Sequence, residues 1–104
     1  MEIEKQLLDE DPETFGDLLL DVGEAYMANG CHTEALPFLE KLVSTRAYGK
    51  AMVWLKYGEC LVETSRLEEA ETAYANVVSL APQHMEARRA LSNILNRLGT
   101  FRHF

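Results

Sequence analysis

The stretch that decides the fold is residues 51–82, AMVWLKYGECLVETSRLEEAETAYANVVSLAP. Apolar side chains recur in it at the three- and four-residue steps of a helix, on both sides of a polar turn. Its small residues also recur outside it: Gly23 lies 35 residues before Gly58, and Ala35 lies 35 residues before Ala70. A repeat of this length predicts a pair of antiparallel helices that recurs along the chain.

The second copy has the residue pattern of a known helical repeat. Counted from Ala51, its key positions 4, 7, 8, 11, 20, 24, 27 and 32 hold Trp54, Tyr57, Gly58, Leu61, Ala70, Tyr74, Val77 and Pro82. The pattern resembles the tetratricopeptide repeat (TPR), which places Trp, Leu-Gly, Tyr, Ala, Phe and Pro at this spacing. The resemblance implies an all-α fold, in which antiparallel helix-turn-helix repeats form a short right-handed superhelical solenoid.

The other copies match less completely. The first starts at Gly16 and has the matching residues Leu19, Val22, Gly23, Tyr26, Ala35, Leu39, Leu42 and Ala47, without the Trp and the Pro. We predict about two and a half repeats: an acidic segment or short helix at 1–15, repeats at 16–50 and 51–84, and the first helix of a truncated third repeat or a capping helix at 85–104. Because a solenoid usually needs about three repeats and polar caps, we expect a piece of a longer array.

Capping residues predict where the helices begin and end. Asp11 and Pro12 are suited to the N-cap and first position of a helix that ends at Asn29-Gly30. Thr33 is the expected cap of the second helix, in which Pro37 should cause a local irregularity. The later helices are expected at about 50–63, 66–80 and 83–98.

The repeat spacing has a physical reason in helix packing. Where two helices cross, Gly or Ala lets the backbones approach, while an aromatic side chain of one helix fills the space beside the small residue of the other. Gly58 with Ala70, and Gly23 with Ala35, are therefore the expected contacts. We interpret Trp54 in the same way, as packing between helices rather than as a platform for a ligand.

Composition weighs against a membrane protein and against catalysis. No apolar run approaches the ~20 residues of a membrane span, and no signal peptide follows Met1. Cys31 and Cys60 do not form a disulfide framework, so we expect an intracellular protein. Cys31-His32 lacks a second cluster of zinc ligands, and Cys60 lacks a paired His. We predict no catalytic residues, no cofactor and no metal site.

Charge weighs against nucleic acid. The formal net charge is −7 and the isoelectric point about 4.9, and the basic end, formed by Arg88, Arg89, Arg97 and Arg102, is too thin for a nucleic-acid site. Pentatricopeptide RNA-binding proteins repeat at the same length but are generally basic. We therefore expect no direct contact with nucleic acid, and an RNA-binding helical repeat is the less favoured alternative.

A protein-binding surface is the remaining candidate site. In TPR proteins the first helix of each unit lines a concave groove, and the resemblance assigns unit positions 2, 5, 9, 12 and 13 to it. The candidate groove residues are Asp17, Leu20, Glu24, Met27, Met52, Leu55, Glu59, Val62, Glu63, Arg89, Asn93 and Arg97. Glu59 and Glu63 are a like-charge pair on one helical face. Either they meet a basic partner or they are merely solvated.

The same positions argue against one known use of TPR grooves. Cochaperones that hold the acidic C-terminal peptide of heat-shock proteins carry Lys or Asn at unit positions 5 and 9. Here those positions hold Leu20, Glu24, Leu55 and Glu59. Because glutamate repels a peptide carboxylate, we do not expect that function.

A narrower resemblance is carried by the runs LDVGEA (20–25), EALPFL (34–39), VWLKYGECL (53–61) and LAPQHMEAR (80–88). They are similar to the large TPR subunits of transcription factor IIIC, which serves RNA polymerase III. The resemblance implies a non-enzymatic nuclear scaffold whose partners are other protein subunits, including a basic or partly disordered segment of the polymerase III initiation machinery.

Two further expectations stay open. The chain could be the TPR module of another complex, such as a cytoplasmic cell-cycle, transport or chaperone-associated assembly. The last helix carries Leu91, Leu95, Leu98 and Phe101, which are expected to lack a packing partner. The chain would then self-associate through its exposed C-terminal helix.

Overall fold

Five long helices follow one another in the described part of this chain. A computed structural model describes the backbone of residues 6–45 and 48–102, with side chains as far as residue 99. The helices are α1 (Pro12–Ala28), α2 (His32–Val43), α3 (Ala51–Glu63), α4 (Leu67–Leu80) and α5 (Met85–Arg102). Each packs on the next, and together they form a body of 47 × 26 × 21 Å. This all-α stack of helices confirms the predicted fold class.

The first helix begins and ends as the sequence predicted. The Asp11 carboxylate accepts a hydrogen bond from the backbone amide of Glu13 at 3.1 Å, and Pro12 is the first helical residue. The helix ends with Asn29 as its C-cap, and Gly30 follows with a φ of +76°. One departure inside α1 is Phe15, whose φ of −109° and ψ of 20° mark a kink near the helix start.

The two turns inside the helix pairs have the same backbone geometry. Gly30 joins α1 to α2, and Ser65, which is 35 residues later, joins α3 to α4 with a φ of +63°. In each turn, the amide of the residue after the left-handed one donates a hydrogen bond to the carbonyl oxygen five residues earlier. These bonds run from Cys31 to Tyr26 and from Arg66 to Leu61, both at 2.8 Å. The 35-residue repeat is therefore present in the hydrogen bonds of the turns as well as in the side chains.

Two predictions about α2 are wrong. The helix begins at His32, with Cys31 as N-cap and no side-chain capping bond, so Thr33 lies inside it. Because the chain has already turned at Gly30, the helix begins directly after Cys31 and before Thr33. Pro37 does not break the helix. It removes a donor for the carbonyl of Thr33, but both residues are exposed, so water can replace that hydrogen bond.

The last helix differs from its predicted limits at both ends. It starts at Met85 rather than near Gln83, because the His84 side chain acts as the cap: its Nδ1 accepts the amide of Ala87 at 3.1 Å. It continues past Leu98 to Arg102. Gly99 does not end it, since the backbone there stays helical.

The core runs along the stack where the helices cross. The largest fully buried side chains are Leu19, Leu39, Leu42, Leu61, Val77 and Cys60. Ala35 and Ala70 are fully buried as well. A Cβ added to Gly58 would lie closest to the ring of Tyr74, and one added to Gly23 would lie closest to Leu39. Each glycine therefore leaves space for a side chain one helical turn after the alanine predicted as its contact. Tyr74 follows Ala70 in this way, and Leu39 follows Ala35.

The two ends of the described chain are packed onto the core. Leu7 is buried, and the Lys41 ammonium of α2 donates to the carbonyl of Leu8. The part of the predicted acidic segment or short helix that precedes residue 6 lies outside the described residues. At the other end, the prediction that apolar residues of the last helix lack a packing partner is wrong for Leu98, which is only 7% exposed. Leu91 is half-buried against the core and Leu95 is exposed. Phe101 lies outside the described side chains.

Candidate protein-interaction surface

The predicted groove residues lie on α1, α3 and α5, outside the buried core. Asp17, Met52, Glu63, Arg89, Asn93 and Arg97 are exposed, and Leu20, Glu24, Met27, Leu55, Glu59 and Val62 are half-buried. The four apolar members of the second set pack partly against the core. Of the apolar positions, Met52 has the most free surface, at 55% exposure.

An ion pair joins the predicted faces of α1 and α3. The Lys56 ammonium lies 3.0 Å from a carboxylate oxygen of Glu24. Sequence reasoning missed Lys56, because the TPR pattern does not assign its position to the groove. The signal was present, since Lys56 lies three residues before Glu59 and so one turn away on a neighbouring part of the same helix surface. Because of this pair, the negative charge of Glu24 is compensated within the chain.

The Asp17 carboxylate of α1 is also engaged. The Tyr48 hydroxyl donates a hydrogen bond to Asp17 at 2.7 Å, and that bond, ahead of burial, raises the pKa of Tyr48 above its ordinary value. A Cβ added to Gly16 would collide with the Tyr48 ring. Gly16, at the start of the first repeat, therefore leaves the space that the Tyr48 ring occupies just before the second repeat.

Glu59 is in an electrostatically unfavourable position at the middle of α3. It is half-buried, and its burial, followed by the carboxylate of Glu86 on α5, raises the pKa of Glu59 above 4.5, with Lys56 and His32 opposing. The sequence had predicted Glu63 as its like-charge neighbour; the larger effect comes from Glu86 on the next helix. Among the described residues, neither Glu59 nor Glu63 forms a hydrogen bond or ion pair.

The predicted α5 positions, Arg89, Asn93 and Arg97, form no ion pair with these carboxylates among the described residues. Arg89, Asn93 and Arg97 are exposed along the helix, and Glu86 is the α5 side chain whose charge acts on Glu59. Of the candidate groove carboxylates, the two without a hydrogen bond or ion pair among the described residues are therefore Glu59 and Glu63, both on α3. We refer to these two side chains as the α3 acidic pair.

The described residues contain little that suggests other chemistry. Over residues 6–45 and 48–102, no three His, Cys, Asp or Glu side chains come together as a metal site. Burial, ahead of the charge on Glu59, raises the pKa of Cys60 to about 11, so its thiol stays protonated at neutral pH. No described helix has the length and apolar character needed to cross a membrane.

Comparison with known proteins identifies the repeat. A profile of the tetratricopeptide repeat family matches residues 20–84 and again residues 55–101, so the two matches start one 35-residue repeat apart. Human General transcription factor 3C polypeptide 3 is 44% identical over 93 residues, which is 89% of this chain. The chain spans 10% of the length of that relative. With its matching fold and its two family matches in register, the chain belongs to the tetratricopeptide repeat family.

Proposed function

We propose that this chain is a non-enzymatic protein-binding segment of a factor IIIC-type scaffold that assembles RNA polymerase III initiation factors in the nucleus. The observation that carries the proposal is its 44% identity to General transcription factor 3C polypeptide 3 over 93 residues. A match over 89% of the chain is longer than either helix pair, so it extends beyond the few positions that all TPR units share.

The α3 acidic pair is the part of the surface that we propose for binding. Asp17 and Glu24 are engaged by Tyr48 and Lys56, whereas Glu59 is half-buried beside the charge of Glu86, and burial, followed by that repulsion, raises the pKa of Glu59. A cation brought by a partner would relieve this repulsion and so gain more than it would on an ordinary exposed carboxylate. The partner chemistry that fits is a basic, partly disordered protein segment.

The test is affinity capture from nuclear extract with antibodies against factor IIIC and factor IIIB subunits as the readout. The parent chain is compared with the double variant Glu59→Lys, Glu63→Lys. The matched control is Asp9→Lys, Glu10→Lys, which makes the same change in net charge at two exposed positions before α1.

The proposal predicts that the parent and the control both retain these subunits and that the α3 variant loses them. Retention by all three chains would contradict the role of the α3 acidic pair while leaving the factor IIIC assignment in place. Capture of a different complex by the parent would contradict the assignment to polymerase III transcription.

A further inference from the structure

A second surface lies on another side of α3 from the acidic pair. An open cavity of about 390 Å³ is bounded by α2, α3 and α4. Val43, Trp54 and Tyr57 contribute apolar surface to its lining, and Glu40 and Glu69 contribute carboxylates. We call this cavity the α2–α4 pocket.

The α2–α4 pocket and the predicted groove use different faces of the same helix. Trp54 and Tyr57 are three residues apart and share one face of α3, while Leu55 and Glu59 are four apart and share another. At 3.6 residues per turn these two faces point in nearly opposite directions. A ligand in the pocket therefore leaves the α3 acidic pair free.

The aromatic wall of the pocket is only partly used by the core. Tyr57 is 8% exposed, but Trp54 is half-buried, and its ring centroid lies 6.0 Å from that of Tyr57 at an interplanar angle of 53°. Trp54 does pack between helices, as the repeat pattern predicted, since it lies against the core. Its remaining surface lines the cavity.

The two carboxylates of the pocket keep most of their capacity to accept hydrogen bonds. The Tyr57 hydroxyl donates one bond to Oε2 of Glu40 at 3.2 Å. Burial, ahead of the Glu40 charge, raises the pKa of Tyr57 to about 12, so the phenol remains a donor. Glu69 contacts Arg66 at 3.9 Å with both side chains about half exposed, a contact that water screens. No cationic side chain is part of the pocket lining among the described residues.

We propose that the α2–α4 pocket binds an arginine side chain from a basic segment of a partner protein. A guanidinium stacks on an aromatic face and donates several N–H bonds in one plane, which suits a Trp and Tyr wall flanked by two carboxylates. The apolar surface accepts the aliphatic part of the side chain. A purely apolar side chain would bury the carboxylates without replacing their water. This proposal does not depend on the assignment to factor IIIC.

The test uses Trp54, which is the one tryptophan of the chain, as its own reporter. Capped peptides Gly-Arg-Gly, Gly-Lys-Gly and Gly-norleucine-Gly are titrated into the chain while tryptophan fluorescence is recorded. We expect saturable binding of the Arg peptide. The double variant Glu40→Gln, Glu69→Gln should bind it about tenfold more weakly, because two exposed charge contacts are lost.

The matched control is Asp9→Asn, Glu10→Gln, which removes two exposed carboxylates before α1, outside both proposed binding surfaces, and should leave the affinity unchanged. Glutamine can still accept the Tyr57 hydrogen bond, so the pocket variant should keep its fold. The Nε1–H resonance of Trp54 in the parent chain gives a second readout that needs no variant, and it should shift with the Arg peptide.

Three results would overturn the proposal. The norleucine peptide could bind as well as the Arg peptide, which would remove the role of charge. Both double variants could lose affinity equally, which would place the binding outside the pocket. The Lys peptide could bind as tightly as the Arg peptide, which would remove the role of guanidinium stacking.

Discussion

Gly58 shows how the absence of one side chain sets the distance between two helices. A Cβ built on Gly58 would lie 2.9 Å from the ring of Tyr74, closer than real Cβ atoms approach other atoms. At Gly23 the nearest atom would be a terminal carbon of Leu39 at 3.3 Å, which is a smaller overlap. The crossing of α3 with α4 therefore depends on its glycine more than the crossing of α1 with α2 does.

Substitution of Gly58 by Ala should destabilise the protein despite the better helix propensity of alanine. We expect Gly58→Ala to lower the free energy of unfolding by about 1–3 kcal/mol, because the Tyr74 ring must be displaced within a packed core. Gly99→Ala is the control: no atom lies within 4 Å of its Cβ position in α5, so it should raise the free energy by about 0.5–1 kcal/mol. Urea unfolding measures both. Shifts of the same sign would contradict this account.

Glu59 should make a pH-dependent contribution to stability. The folded-state pKa of Glu59 is raised above the ordinary 4.5. The protonated carboxyl therefore favours the fold, and this contribution is fully present at pH values below the unfolded-state pKa. That contribution is lost as the pH rises through the folded value. Glu59→Gln should therefore stabilise the protein at pH 7 by about 0.5 kcal/mol, a small gain for a half-exposed group. The difference should vanish below pH 4.5, which thermal unfolding at both pH values can test; a gain of equal size at low pH would argue against it.

At the scale of the helices, the two turns with left-handed residues determine how each pair closes. Gly30 and Ser65 occupy equivalent positions, with φ values of +76° and +63°. Glycine adopts this conformation without a steric cost, whereas an L-residue such as serine is strained there by roughly 1–2 kcal/mol. The first pair therefore has the residue that its turn requires, and the second pair does not.

Ser65→Gly should consequently stabilise the chain. We expect a gain of up to about 1 kcal/mol, because relief of strain exceeds the added backbone entropy of the unfolded state. Ser79→Gly, at an exposed position inside α4, should instead cost about 0.5 kcal/mol. The two substitutions are compared by their urea midpoints. A loss of stability with Ser65→Gly would show that the turn is not strained.

The helix ends show what local sequence can and cannot predict. The two ends of α1, at Asp11 and at Asn29-Gly30, could be predicted because each depends on one capping side chain or one left-handed residue. Thr33 was misread because the preceding turn, rather than a capping hydroxyl, starts α2. His84 was missed because histidine is an uncommon N-cap, and its capping bond to Ala87 depends on the ring orientation that the structure shows.

At the scale of the whole molecule, the repeat predicted that the candidate groove residues lie outside the core, but not how their charges combine. The TPR positions placed Asp17, Glu24 and Glu59 on exposed or half-buried surface. The contacts that engage the first two come from other parts of the chain: Lys56 reaches Glu24 from the second repeat, and Tyr48, which bonds Asp17, lies just before that repeat. Such contacts depend on the angle between helices, which residue spacing alone does not give. The exposure of these residues was therefore predictable, and which of their charges stay free was not.

Alkaline pH should unfold the stack as a unit. Burial is the largest cause that raises the pKa of both Tyr57 and Tyr74 to about 12, from an ordinary 10.0. Their neutral forms stabilise the fold fully below pH 10, and this contribution is lost as the pH rises towards 12. Absorbance at the phenolate band and far-UV circular dichroism, recorded together, should show these tyrosines ionising as helix is lost. Ionisation of all tyrosines near pH 10 with the helices intact would contradict the burial of these two rings.

The most direct test of the central claim is the equilibrium affinity of the purified chain for purified factor IIIB, measured by titration calorimetry. We predict saturable binding that weakens with added salt. The double variant Glu59→Lys, Glu63→Lys should weaken this binding by at least about tenfold, and Asp9→Lys, Glu10→Lys should leave it unchanged. Absence of binding by the parent chain, or equal affinities for the parent and both variants, would contradict it.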